Sequence, residues 1–173
     1  HAVHAEKLGR YPTRMSKPLD AALWFHSLRG IGHDAGALEG LVAVSRAQRL
    51  QLKIGGIALT GDDFLLHMLE GEPEAIDRFL AATSGAAWRG PPLIIDRRPI
   101  LTREFLWWSP LDAWLTPGET AWLSGVLARP PYDVEAIESL ARWAGYRTAE
   151  IKLGVASDAT LEAPWISRPR TAH

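Results

Sequence analysis

The chain has 173 residues, of which 47% are hydrophobic and 23% charged, enough apolar material for one globular domain with its own core and too much for a disordered chain. Nineteen Lys and Arg stand against twenty Asp and Glu, a net charge of -1 that gives no electrostatic footprint for nucleic acid or for an anionic membrane surface. Cysteine is absent, which removes disulfides, thiolate nucleophiles and cysteine-ligated metals together, and suits a reducing cytoplasm.

Residues 1–18 are polar and mixed, with the first methionine at Met15, and are read as an N-terminal extension outside the fold. No stretch reaches the roughly 20 apolar residues of a membrane span, and no signal-peptide core precedes the first predicted strand. His1 and His4 read as solvated residues before they read as a metal site.

From Ala21 to Leu28 the run AALWFHSL predicts a strand, ended by the turn signal Arg29-Gly30-Ile31-Gly32. Asp34 is a candidate cap for a helix from about Gly36 to Arg49, with Leu38, Leu41, Val42 and Leu50 inward and Glu39, Arg46 and Arg49 toward water. Ile54 to Thr60 and Phe64 to Glu70, joined by Gly61-Asp62-Asp63, predict a hairpin. Its second strand does not alternate and must therefore be covered on both faces.

Glu72-Pro73-Glu74 opens a second helix, with proline in its first turn and Ile76, Phe79, Leu80 and Thr83 on one side. Leu93-Ile94-Ile95 and Glu104 to Trp108 are read as two further strands. The order β-α-β-β-α-β-β describes an α+β, ferredoxin-like five-stranded sheet with two helices on one face. Pro117 to Leu127 and Val134 to Ala144, separated by Pro130-Pro131, predict a helical hairpin across the other face. The resulting organisation is a core over 19–110, a helical cap over 111–155 and an irregular tail over 156–173.

The sequence holds no Walker loop, no dinucleotide fingerprint, no nucleophile elbow and no metal-ligand spacing, so it offers no catalytic constellation. The tryptophans Trp107, Trp108, Trp114, Trp122 and Trp143 gather in the C-terminal half. They read first as an aromatic core beneath the helical hairpin. Trp107, Trp114 and Trp122 are also candidate interface anchors, because tryptophan is enriched at binding hot spots.

Three separated segments carry a resemblance. Leu65 to Ile76, LLHMLEGEPEAI, resembles the strand-to-helix junction of BLUF domains, whose pattern there is Phe-Leu-Gln-x-Leu-Glu-Gly. Ile54-Gly55-Gly56 resembles the family's Ile-Thr-Gly, and Phe105-Leu106-Trp107-Trp108-Ser109 resembles its Phe-x-x-Trp-Ser. The resemblance covers about Leu19 to Pro110 without a gap.

It implies a blue-light sensor holding FAD between the two helices, with a tyrosine on the first strand and a glutamine on the third exchanging hydrogen bonds with the flavin. In this register the tyrosine position is Phe25 and the glutamine position His67. The paired asparagines of the first helix fall at Gln48 and Arg49, the second-helix Arg and Asp at Ala82 and Ala86, and the family tryptophan at Trp108, which should be buried.

Phe25 lacks the phenol that the photocycle uses, and His67 lacks the rotatable primary amide. Four to six altered contacts at about 1 kcal/mol each weaken a flavin site by about three to four orders of magnitude. The expectation is a degenerate member without cofactor that is not an enzyme and acts on a protein partner or a second copy of itself. The other reading keeps FAD, or another planar ligand, between the helices.

Overall fold

The computed structural model describes residues 17–28, 35–85, 88, 91–154 and 162–166. Nine elements follow one another: β1 (Leu19–Ser27), α1 (Ala35–Gln51), β2 (Gly55–Thr60), β3 (Phe64–Gly71), α2 (Pro73–Ala82), β4 (Leu93–Ile100), β5 (Leu111–Ala113), α3 (Pro117–Leu127) and α4 (Val134–Lys152). They build an α+β fold around one mixed sheet of order β4-β1-β3-β2-β5. Its pairings are antiparallel except for β5, which lies parallel to β2.

Every residue of β3 is buried, as its lack of alternation demands. On one face Trp24, Ile54 and Leu69 pack against Ile76 and Phe79 of α2, while Leu28, Ala58 and Leu65 meet Leu38, Leu41 and Val42 of α1. On the other face Leu23, Ile57, Leu66 and Met68 pack against α3 and α4 through Leu123, Ile137 and Leu140. The sheet is thus the middle of three layers.

Two glycines set how closely the layers approach. Gly56 has φ +129°, and a Cβ there would stand 2.2 Å from the Met68 carbonyl oxygen, so the β2–β3 pairing requires glycine at this point. Gly145 of α4 lies so near β2 that a Cβ would meet the Ile57 side chain at 2.6 Å.

Helix α3 begins with a reciprocal cap. The Thr116 hydroxyl accepts from the Glu119 N–H at 3.2 Å, and the Glu119 carboxylate accepts from the Thr116 N–H at 3.0 Å. Glu119 is also paired with Arg147 of α4, and its carboxylate accepts from the N–H of Ala163, so one buried carboxylate ties α3, α4 and residues 162–166 together.

One predicted element is absent. Glu104 to Trp108 is a series of bends and turns, and the fifth strand is Leu111–Ala113, inside the stretch read as the helical cap. The Glu70 carboxylate takes the N–H groups of Glu104 and Phe105, at 2.7 and 3.0 Å, donors that a strand ladder would have used.

Candidate functional site

The α1/α2 face of the sheet centres on His67. Pairing β1 with β3 sets Trp24 directly beside it, and residues paired across antiparallel strands share a face. The Trp24 and His67 rings lie 5.7 Å apart, and Phe79 reaches down from α2 to within 5.7 Å of Trp24 and 5.5 Å of His67. His26, one step along the same face, stands edge-on to His67 at 6.1 Å and lies against Trp88 at 4.6 Å. All five rings are buried.

Ser45 of α1 places its hydroxyl 3.1 Å from His67 Nε2. Burial, then the nearby charges of Arg49 and His26, holds the His67 imidazole well below its ordinary pKa. Burial alone pushes His26 down to about 4. Both rings are neutral near pH 7.

Arg49 shares this interior. It is 0% exposed, and its Nη2 donates to an Asp112 oxygen on β5. Arg46, on the outer side of α1, sends its Nε to the other Asp112 oxygen at 2.9 Å. Burial lowers the Arg49 pKa and the Asp112 carboxylate works against that. Several buried polar atoms here lack partners: Trp24 Nε1, both ring nitrogens of His26, Gln48 Oε1, Nε and Nη1 of Arg49, and His67 Nδ1. An unpaired buried donor or acceptor costs about 1–3 kcal/mol, so each of these atoms bears on the stability of this interior.

No family model and no curated protein matches the sequence. Among solved structures, the chain is similar to BlrB, a BLUF protein in its dark state, at 20% identity and a TM-score of 0.52, covering 79% of this chain and 98% of that one. It is also similar to the photo-activated state of BlsA, at 16% identity and a TM-score of 0.57, covering 73% of this chain and 94% of that one. The fold is BLUF-like.

The rings of Trp24, His67 and Phe79 meet between the sheet and α2. The residues of β1 that face this side are Ala22, Trp24 and His26, and none carries a phenol.

Of the positions carried over from the resemblance, His67 and Arg49 are both fully buried, near enough for the Arg49 charge to act on the imidazole, and Gln48 is half-buried on α1. Phe25 does not join them. It faces the opposite side of the sheet and meets Tyr132 edge-on at 6.2 Å among the residues under α3 and α4. Ala82 is exposed at the end of α2, and Ala86 lies outside the described residues.

Trp108, expected to be buried, is 59% exposed, because its segment is a loop rather than an inner strand. Trp107 is half-buried beneath the Lys53 ammonium, 5.5 Å from the ring centre. Trp114 is half-buried with the Arg147 guanidinium 4.5 Å above it, and Trp122 is half-buried against the core under the hairpin.

One expectation for a polar side chain is corrected. Arg49 does not face water, since Asp112 on β5 draws it inward. His26 is a buried ring against Trp88. The contributors that sequence reasoning missed are Trp24, Ser45, Phe79 and Asp112.

Proposed function

We propose that this chain is a regulatory module of BLUF-like fold that works without flavin photochemistry, acting through its protein contacts rather than as an enzyme. The observation that supports the reading is the contact of Trp24, His67 and Phe79, three of the protein's own rings packed together around the β3 position that the resemblance matches to the family glutamine. A BLUF-type photocycle needs an oxidisable phenol and a rotatable amide facing one flavin. Here the β3 position carries an imidazole, and the neighbouring β1 position on that face carries an indole.

The surface offered for contact is the loop between β4 and β5. Leu101, Leu106 and Trp108 are 93%, 55% and 59% exposed, a concentration of large apolar side chains with no cover. Trp107 leans on Trp108 edge-on at 5.6 Å and braces it. This favours Trp107 and Trp108 over Trp114 and Trp122 as contact residues, because the latter two are engaged by Arg147 and the core. The occupant is a protein partner or a second copy of the chain, in the cytoplasm. A balanced net charge gives nucleic acid no footprint, and among the described residues no helix is long and apolar enough to cross a membrane.

The test is a light-minus-dark absorption spectrum of the purified protein after incubation with FAD. The reading predicts a flat difference spectrum. A reversible red shift of a bound flavin under blue light would overturn it.

A further inference from the structure

Helix α1 carries its polarity in reverse. Its buried residues are Ser45 and Arg49, with Gln48 half-buried, while Ala43, Val44, Ala47 and Leu50 are exposed, Val44 at 49% and Leu50 at 39%. A helix lying on a sheet ordinarily turns its apolar side inward and its polar side to water. Leu50, expected inward, thus stands on the solvent side, and with Val42, Ala43, Ala47 and Thr60 it lines an open groove of about 510 Å³. Gly40 is exposed as well, and a Cβ added there would meet nothing within 4 Å. Glycine weakens a helix interior, and no neighbour in the chain calls for it here, whereas close approach by a second helix would.

The outward residues follow a heptad pattern. Gly36, Gly40, Ala43, Ala47 and Leu50 recur at alternating steps of four and three, the seam of a two-helix coil, and Glu39 and Arg46 flank that seam at equivalent heptad positions. Among the described residues no ion pair engages Glu39, while Arg46 shares the single Asp112 carboxylate with Arg49. One end of the flank therefore carries an unbalanced negative charge and the other an unbalanced positive one. In an antiparallel pair of identical helices these flanking positions face each other, so a two-fold axis sets Glu39 of each copy beside Arg46 of the other. Parallel packing would instead set Glu39 against Val44 and Arg46 against Gln51, leaving both charges unmet.

We propose that α1 packs antiparallel against α1 of a second copy, making a two-fold dimer that meets through Gly40, Ala43 and Ala47 and is flanked by two crossed Glu39–Arg46 pairs. Small side chains at the seam let the two backbones approach closely, and Val44 and Leu50 lose their exposure beside it. The surface shares no residue with the β4–β5 loop, so this contact is independent of the one proposed there.

Sedimentation equilibrium of the full chain across the micromolar range tests the contact. One helix pair is a small interface, so a reversible monomer–dimer equilibrium is expected. Glu39→Arg makes the crossed pairs repulsive, and Ala43→Arg puts bulk and charge at the closest approach; each should weaken the dimer at least about tenfold. The chain has no cysteine, so Ala43→Cys adds a single thiol near the axis, and mild oxidation should link two copies through it. Leu50→Cys should not link, because antiparallel packing holds the two Leu50 positions at opposite ends of the contact. A chain that stays monomeric, or a dimer that both arginine variants leave at full strength, would overturn the proposal. Linkage through Leu50→Cys would overturn the antiparallel arrangement, and loss of an otherwise insensitive dimer in Trp108→Ala would place it on the β4–β5 loop instead.

Discussion

Trp24 and Trp108 are the same residue type at opposite extremes of burial, and one substitution separates their roles. Trp24→Ala empties a position enclosed by His67 and Phe79 and should cost about 3–5 kcal/mol in denaturant unfolding. Trp108→Ala, on an exposed loop, should change stability by less than about 0.5 kcal/mol and weaken association instead. Unfolding of both variants to the same degree would return Trp108 to the core.

His26 supplies a pH signature. Its folded pKa of about 4 lies below the ordinary 6.5, so the unfolded chain binds the proton more readily. The stability that depends on neutral His26 is complete above pH 6.5 and is lost as the pH falls toward 4. The loss should reach about 2–3 kcal/mol, and His26→Phe should flatten that limb of the stability–pH curve.

At this scale the sequence is least legible. AALWFHSL does not alternate, so no periodicity says whether Trp24 or Phe25 faces α2, and a one-residue difference exchanges the faces. Arg49 looks like a surface residue because its partner, Asp112, is 63 positions away on a three-residue strand.

Among the elements, the connection between β4 and β5 is fastened chiefly at its start. The Glu70 carboxylate receives the N–H groups of Glu104 and Phe105, and Arg103 donates to the Glu70 carbonyl oxygen at 2.8 Å. Glu70→Ala should leave the sheet intact and expose those two amides to exchange, at a cost of about 1–3 kcal/mol. Hydrogen exchange resolved to single residues checks this, and unchanged protection at Glu104 and Phe105 would contradict it.

The same carboxylate helps hold Glu104 to Trp108, which reads as a strand, in a loop. Its aromatic content satisfies strand propensity, but propensity mostly reports fit to a half-buried pleated surface. That surface on β2 is taken by Leu111–Ala113. By contrast β3 was legible outright, because an unbroken apolar run bounded by turns has no solvent face to offer.

Over the whole molecule, three layers hang on one sheet, and the two helical layers are joined to it differently. The α1/α2 layer combines apolar contact with the buried Arg49–Asp112 pair, whereas the α3/α4 layer is locked by Glu119 and Arg147. Arg147→Met strands the Glu119 carboxylate, which is 0% exposed, and should cost about 3–5 kcal/mol while loosening residues 162–166. Arrangement of the layers followed from the order of predicted elements and the need to cover β3 twice. Their polar joints did not, since each depends on partners far apart in the chain.

The proposal that ties these scales together is that this BLUF-like fold works without flavin. Equilibrium dialysis of the purified chain against FAD in the dark tests it most directly. No saturable binding at micromolar FAD is expected. Stoichiometric uptake, with flavin absorption travelling with the protein, would contradict it.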